Sequence, residues 1–150
     1  MGKGRPMDDK MTATLTQKAL AARNNAYAPY SRFHVGAALI TEDGQVFSGC
    51  NVENAAYPEG VCAEAGAISA MVAAGGSRKI ASIMVAGKGP APCLPCGGCR
   101  QKIREFATAR TCVLVVDEDG ALLFKDELHA LLPSSFGPEN LETGTEGKPA

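Results

Sequence analysis

The sequence predicts one three-layer α/β/α domain built around a mixed five-stranded sheet. Its helical and strand patterns alternate in the order αββαβαββα, and helices interleaved with strands in this way cover the faces of a sheet. At 150 residues the chain is long enough to bury one hydrophobic core. Two pairs of strands flank short acidic turns that end in glycine, at 42–44 and 117–120, so each pair is predicted to form an antiparallel hairpin.

The first half of the chain supplies a helix and the first hairpin. Residues 11–25 carry apolar side chains at helical spacing. These side chains are Leu15, Ala19 and Ala22, and Ala26 continues the same side just beyond the range. The helix is predicted to end before residues 27–31, where a proline interrupts the pattern. Residues 34–41 are predicted to form a buried strand, and residues 45–50 its hairpin partner.

The second half adds two helices that begin at cysteines, then the second hairpin. Residues 62–74 are small and apolar nearly all round, which predicts a buried helix, and Gly75 and Gly76 predict its end. A helix is predicted at 97–107. Pro95 supports a helix start at this point, because proline is well tolerated in a first helical turn. The remaining predicted elements are strands 80–86, 112–116 and 121–124 and a short last helix at 126–132.

Composition limits the environment and the partners that we expect. The formal net charge is −1 and no basic stripe is present, so nucleic acid is not an expected partner. No apolar run approaches the roughly 18 residues of a membrane span, and the start of the chain lacks a secretory signal. Without export, the six cysteines indicate reduced thiols or metal ligands, which predicts a cytoplasmic protein. Polar ends predict a disordered leader at 1–10 and a disordered tail at 142–150, on either side of a domain at 11–141.

Two cysteine motifs predict a catalytic zinc site. The first motif is Cys62-Ala63-Glu64, and the second is Pro95-Cys96-Gly97-Gly98-Cys99, whose Cys96 follows Cys62 by 34 positions. Structural zinc normally takes four protein ligands, whereas the three thiols of Cys62, Cys96 and Cys99 leave a fourth position open for water. Glu64 can then handle protons beside the metal without ligating it. Both motifs lie at predicted helix starts, where N–H groups and the helix dipole favour the thiolate.

A second Cys-x-x-Cys pair, Cys93 and Cys96, makes the ligand register ambiguous. The pair of Cys96 and Cys99 is favoured because two glycines between them let the backbone approach the metal closely. A structural site with four thiols, Cys62, Cys93, Cys96 and Cys99, remains an alternative. It would leave Glu64 without a role.

The chain resembles the small, homotetrameric, zinc-dependent cytidine deaminases from about Thr14 to Leu141. Four segments carry the resemblance in the family's order: YSRFHVGAAL at 30–39, GCNVENAAYP at 49–58, PCGGCRQ at 95–101 and LLPSSFGP at 131–138. The resemblance implies the three-layer cytidine deaminase-like fold for the catalytic domain at 11–141. It also implies one zinc ion per subunit.

The resemblance further implies an activity in pyrimidine salvage. The reaction is hydrolytic deamination of cytidine and 2'-deoxycytidine to uridine and 2'-deoxyuridine plus ammonia, through zinc-bound hydroxide with Glu64 as the proton shuttle. One alternative is a deaminase of another aminopyrimidine nucleoside, such as blasticidin S. Another is a zinc-stabilised nucleoside-binding protein without activity, although the presence of Glu64 argues against it.

Roles in nucleoside binding come from the same resemblance. Phe33 would pack against the pyrimidine, and Ala63 would offer a backbone group to the base. Asn51 and Glu53 would bind the ribose 3'-hydroxyl. An amide and a carboxylate two residues apart project to the same side of an extended segment, which suits a sugar hydroxyl.

The resemblance also implies a homotetramer whose sites are shared between subunits. Tyr57 would line the site near a neighbouring subunit. Phe136 would reach into an adjacent subunit's pocket and cover the base.

The chain departs from the family directly after the first motif. Members usually carry an arginine there, which hydrogen-bonds the ligand sulfurs, whereas this chain has Ala65. Loss of a charge-assisted donor should make the bound water less acidic. Arg100 or Arg104 is a candidate replacement donor, and we expect an active deaminase with a retuned zinc site.

Overall fold

The computed structural model of the chain describes residues 7–141. The strands are β1 (Gly36–Thr41), β2 (Val46–Cys50), β3 (Ile80–Ala86), β4 (Ala107–Val116) and β5 (Leu122–Glu127). The helices are α1 (Asp9–Asn24), α2 (Ala63–Ala74), α3 (Gly97–Phe106) and α4 (Leu128–Leu131), with short 3₁₀ turns at Tyr57–Glu59 and Pro138–Asn140. The strands form one mixed sheet in the order β2-β1-β3-β4-β5, with β3 and β4 parallel and the other neighbours antiparallel. Within residues 7–141, no helix combines the length and the apolarity needed to cross a membrane.

Helices cover both faces of the sheet, which confirms the predicted layers. In β1, Ala37 and Leu39 belong to the apolar cluster on the side of α2, α3 and α4. Ala38 and Ile40 belong to the cluster on the side of α1. Successive side chains of a strand point to opposite faces, so a strand that is buried at every position must be covered on both. All six positions of β1 are buried.

Gly49 in β2 determines how closely α2 lies on the sheet. A Cβ at this position would stand 2.5 Å from the Ala67 nitrogen and 2.6 Å from the Ala63 oxygen. Any side chain here would therefore push the helix backbone away from the strand. The absence of a side chain lets the first turn of α2 sit directly against the end of β2.

The first helix begins two residues earlier than predicted. Asp8 is its N-cap, and the carboxylate accepts a 2.8 Å hydrogen bond from the Met11 nitrogen. A side-chain acceptor at this position satisfies one of the free N–H groups of the first turn, so the helix extends back to Asp9. The predicted leader at 1–10 is therefore wrong for residues 9 and 10. Residues 1–6 and the predicted tail at 142–150 lie outside the described residues.

The second hairpin is longer than predicted, and the last helix is correspondingly shorter. β4 begins at Ala107, directly after α3, where the sequence predicted a start at Cys112. The buried Thr111 hydroxyl donates to the Ile80 oxygen at 2.6 Å, which ties this polar stretch to β3. Cys112 pairs with Glu127, so β5 takes the first residues of the predicted last helix. Residues 107–111 and 125–127 are mostly polar, so they lack the apolar alternation by which a strand is predicted from sequence.

Candidate metal centre and nucleoside site

Two helices begin at cysteines whose side chains meet. Cys62 is the N-cap of α2, Cys96 is the N-cap of α3, and Cys99 lies in the first turn of α3. The three Sγ atoms all lie within 4.8 Å of one another. Sulfurs bound tetrahedrally to one zinc at about 2.3 Å are about 3.8 Å apart, so a small contraction would bring these thiols onto one ion. The structure thus brings the three predicted ligands together.

Glu64 lies beside the thiols and outside the ligand group. It occupies the first turn of α2 and is only 5% exposed. Its Oε2 accepts a hydrogen bond from Cys99 Sγ at 3.5 Å. Burying a carboxylate costs free energy unless a hydrogen-bond donor or a cation pairs with it. Here the donor is the thiol of Cys99. A carboxylate in this place can accept and deliver protons next to a metal without holding it.

The electrostatics of the thiols differ in part from expectation. Burial is the main reason why the pKa of Cys62 is raised and the pKa of Cys99 lies far above that of an ordinary thiol, and the charge of Glu64 adds to both shifts. The pKa of Cys96 is lowered, because the backbone N–H of Cys99 donates to it. The helix-start N–H thus stabilises the thiolate of Cys96 as predicted, whereas at Cys62 and Cys99 burial and the neighbouring negative charges favour the neutral thiol until a cation is bound. A divalent cation supplies the positive charge that this group lacks.

Cys93 packs beside the centre and does not join it. A Cβ at Gly87 would stand 2.3 Å from the Cys93 Cβ and 3.1 Å from its Sγ, so the Cys93 side chain lies directly on the Gly87 backbone. Among residues 7–141, the group of thiols that share one centre is Cys62, Cys96 and Cys99. The geometry therefore favours the three-thiol register over both alternatives that include Cys93.

The side chains predicted to bind ribose are bonded to the backbone that leads into β1. Asn51 donates from Nδ2 to the Phe33 oxygen at 2.8 Å and accepts from the Val35 nitrogen at 2.9 Å. The amide spans both backbone groups like a strand partner, and it keeps one Nδ2 hydrogen for a ligand. Asn51 therefore shapes the loop that presents Phe33.

Glu53 holds the same loop at Tyr30 and Ser31, before Phe33. Its Oε1 accepts from the backbone nitrogens of Tyr30 at 2.9 Å and Ser31 at 3.1 Å, and its Oε2 accepts from the Ser31 hydroxyl. These bonds, led by the Ser31 hydroxyl, hold the pKa of Glu53 below its usual value, which keeps the carboxylate ionised. Sequence reasoning gave no role to Ser31. The available signal was a hydroxyl residue two positions after Pro29. Its partner Glu53 lies 22 positions away, so a local sequence pattern cannot identify the pair.

A cavity of about 350 Å³ lies at this loop, within the size range of small-molecule sites. Its lining residues are Tyr30, Ser31, Glu53, Asn54, Tyr57 and Gly60. The rings of Tyr30 and Tyr57 meet edge to face with centroids 5.8 Å apart. Three predicted contacts are exposed aromatics: Phe33 at 44%, Tyr57 at 75% and Phe136 at 58%. Ala63, in contrast, is buried at the start of α2.

Comparison with known proteins identifies the family. Residues 9–115 match the model of the cytidine and deoxycytidylate deaminase zinc-binding region. The chain belongs to this deaminase family. It is 39% identical over 132 residues to the cytidine deaminase of Sporosarcina psychrophila, covering 88% of this chain and 96% of that protein. It is 40% identical over 127 residues to the cytidine deaminase of Mycobacterium tuberculosis, covering 85% of this chain and 90% of that protein.

Solved structures agree with this assignment. The cytidine deaminase of Burkholderia pseudomallei superposes with a TM-score of 0.78 at 43% identity, over 87% of this chain and all of that one. That of Mycobacterium tuberculosis superposes with a TM-score of 0.72 at 34% identity, over 87% and 99% of the two chains. The predicted family and the predicted fold are confirmed. Zinc is the metal of this deaminase, and the thiol group is positioned to bind it.

The two arginines considered as replacements at the zinc site of this deaminase point elsewhere. Arg100 donates from Nε to the Pro95 oxygen at 2.7 Å and from Nη1 to the Leu131 oxygen at 2.9 Å. Arg104 donates to the Ser135 hydroxyl at 2.8 Å and pairs with a carboxylate near the end of the domain. The expectation that either compensates for the missing arginine is wrong. Both lie on the side of α3 that faces the carboxy-terminal segment.

Proposed function

We propose that this deaminase hydrolyses cytidine and 2'-deoxycytidine to uridine and 2'-deoxyuridine, with release of ammonia, in pyrimidine salvage. The observation that carries this proposal is the buried Glu64 beside the group of three thiols. High-coverage similarity to proteins named cytidine deaminase supports the choice of substrate. The reducing conditions that thiol ligands need support a cytoplasmic location.

The three thiols would hold zinc without filling all of its usual four ligand positions, which would leave room for water. Cys62, Cys96 and Cys99 are the ligands, and their placement at two helix starts fixes the sulfurs without a fourth protein ligand. When bound, zinc acts as a Lewis acid that lowers the pKa of a coordinated water to roughly 7. Cys99 and Glu64 are buried beneath the centre, whereas Cys62 and Cys96 are exposed, so solvent reaches the site from the side of these two thiols. Three thiolates carry more negative charge than Zn²⁺ neutralises, so the residues around them tune the acidity.

Glu64 moves the protons of the reaction. Its Oε2 lies next to the thiols, where it can take a proton from the attacking water and deliver it to ring nitrogen N3 of cytosine. A C4–O bond forms in that step. Glu64 then carries the proton of the new C4 hydroxyl to the amino group, the C4–N bond breaks as the C4=O double bond forms, and ammonia leaves. Burial of the carboxylate strengthens its hydrogen bonds to the base.

The nucleoside is placed by the loop that leads into β1 and by the start of α2. Phe33 packs against the pyrimidine, and the backbone of Ala63 bonds to the base. The free Nδ2 hydrogen of Asn51 and the ionised carboxylate of Glu53 face the ribose 3'-hydroxyl. The hydrogen bonds already made by these two side chains support this role, because a preorganised donor and acceptor need no reordering on binding.

We also propose a homotetramer whose sites are shared between subunits. The exposed aromatic side chains of Tyr57 and Phe136 support it, since aromatic residues are enriched at interfaces between subunits. Val52 and Val61, which pair with each other through an isolated β-bridge, are also close to half exposed. Sedimentation analysis tests this proposal, and a single species of monomer mass would contradict it.

The test of function is turnover of cytidine by the zinc-loaded protein, followed by its ultraviolet change. We expect conversion by the natural chain and loss of it in Glu64→Gln, which keeps the shape but removes the proton carrier. Zinc content is measured on both proteins, so that an inactive variant is not confused with an empty one. A parallel measurement with blasticidin S compares the rival substrate. Zinc-loaded protein that converts neither compound would refute the proposal.

A further inference from the structure

The segment 131–140 is hydrogen-bonded along its length to α3, the helix that carries Cys99. The first connection is Arg100. One of its donors binds the Leu131 oxygen and another binds the oxygen of Pro95, which directly precedes the ligand Cys96. The guanidinium of Arg100 therefore joins the start of this segment to the backbone just before Cys96. Charge-assisted bonds of this kind are stronger than neutral ones.

The second connection reaches Phe136 itself. Gln101 donates from Nε2 to the Phe136 oxygen at 3.0 Å. The Phe136 ring is 58% exposed, so its own side-chain packing does little to set its position. The direction of the ring then depends on how firmly its backbone is held, and Gln101 holds that backbone.

The third connection is Arg104, which closes over the end of the segment. Its Nε donates to the Ser135 hydroxyl at 2.8 Å, and its guanidinium pairs with Glu139. A Cβ at Gly137 would stand 2.4 Å and 2.5 Å from guanidinium atoms of Arg104. The guanidinium therefore occupies the space that a side chain at position 137 would need.

These side chains form a row on one side of the helix. Residues four apart on a helix lie above one another, so Arg100 and Arg104 are on the same face, and Gln101 is next to them. Apart from the bond of Arg100 to the Pro95 oxygen, the bonds along the row go to the carboxy-terminal segment, while the thiols of Cys96 and Cys99 point to the metal centre. The helix α3 and its N-cap thus carry two of the three proposed metal ligands together with the residues that hold Phe136.

We propose that Gln101 and Arg104 are positioning residues that set the place of Phe136 and so tune nucleoside binding. This inference rests on the proposed function, in which Phe136 covers the base in an adjacent subunit's pocket. The effect falls on KM, because the ring contacts substrate while the proton transfers belong to Glu64. It leaves zinc content unchanged, because neither side chain bonds to a ligand sulfur.

The first arm of the test is steady-state kinetics with cytidine. Gln101→Ala removes the donor to the Phe136 oxygen, and we expect KM to rise about two- to tenfold, the effect of one lost hydrogen bond. Gln101→Glu has the same shape but sets a carboxylate against that oxygen, so its KM should rise further. Arg104→Ala should also raise KM. The exposed Glu105, on the same helix, gives the matched control Glu105→Gln, with kinetics like the natural chain.

The second arm does not depend on activity. The chain contains no tryptophan, so Phe136→Trp introduces a single fluorescent reporter in the segment. Its steady-state anisotropy measures how firmly the segment is held. We expect the anisotropy to fall when Gln101→Ala or Arg104→Ala is added, and to stay constant when Glu105→Gln is added.

Three results would overturn the inference. The first is an anisotropy that stays constant in both Gln101→Ala and Arg104→Ala backgrounds. The second is a falling anisotropy with an unchanged KM in an active enzyme, which would make the row a purely structural device. The third is loss of zinc from the Gln101→Ala protein. If the natural chain does not convert cytidine at all, the proposed function fails, while the anisotropy still decides whether α3 holds the segment.

Discussion

Substitutions of Asn51 can separate its contribution to the stability of the fold from its proposed contact to the ribose. Its amide bridges the Phe33 oxygen and the Val35 nitrogen across the loop that leads into β1. Asn51→Ala removes both bonds and leaves a partly buried N–H group without its side-chain partner. Asn51→Asp keeps the acceptor for Val35 but sets a carboxylate oxygen against the Phe33 oxygen.

The size of the effect follows from these two bonds. Each hydrogen bond contributes about 0.5–1.5 kcal/mol net, so Asn51→Ala should lower the free energy of unfolding by about 1–3 kcal/mol. For a chain of this size, about 2 kcal/mol corresponds to a fall in Tm of roughly 4–8 °C. The loss of unfolding free energy in Asn51→Asp should lie within the same range, because this variant keeps one hydrogen bond and adds one repulsion.

The assay is urea unfolding at one fixed chain concentration, together with KM for cytidine. Fixing the concentration matters because subunit association would add to the apparent stability. Asn54→Ala is the matched control, since Asn54 makes only a local bond to the Ala56 nitrogen, and its loss should change stability little. A raised KM with full stability in Asn51→Ala would refute the structural role and leave only the contact to ribose.

Three further predictions concern the centre and the loop beside it. Ala65→Arg should raise turnover at neutral pH, by about tenfold if the arginine donates to the ligand sulfurs; a pH–rate profile tests this, and an unchanged or lower rate counts against retuning. Cys96→Ser should lose zinc while Cys93→Ser keeps one ion per subunit, as measured by metal analysis; equal loss from both would restore the four-thiol site. Because the pKa of Glu53 is lowered in the fold, its contribution to stability is present above its unfolded-state pKa and is lost as the pH falls through the folded-state pKa. The acid-induced loss of unfolding free energy should therefore be smaller in Glu53→Gln than in the natural chain, and an identical pH dependence would show that the carboxylate contributes nothing.

Local chemistry explains which parts of the site were predictable. Cys62, Cys96 and Cys99 stand at helix starts that prolines, glycines and apolar periodicity mark within a few positions. Glu64 follows Cys62 on the same helical turn, so its proximity to the metal is a short-range consequence of helix geometry. Burial was harder to predict. The pKa of Cys99 rises rather than falls because the packed fold removes water from it, and no local motif contains that information.

The sequence by itself predicted the order of the elements from periodicity and turn residues, the family from four matching segments, and the three thiols that the fold brings together from their spacing and helix-start positions. Only the tertiary structure decided where the long polar side chains go. Glu53 binds a loop 22 positions away, and Arg100 and Gln101 bind residues 31 and 35 positions away. Such bonds form only after the sheet and helices have brought distant segments together. The thiol motifs thus specify the chemistry, while packing specifies which residues hold the nucleoside site in shape.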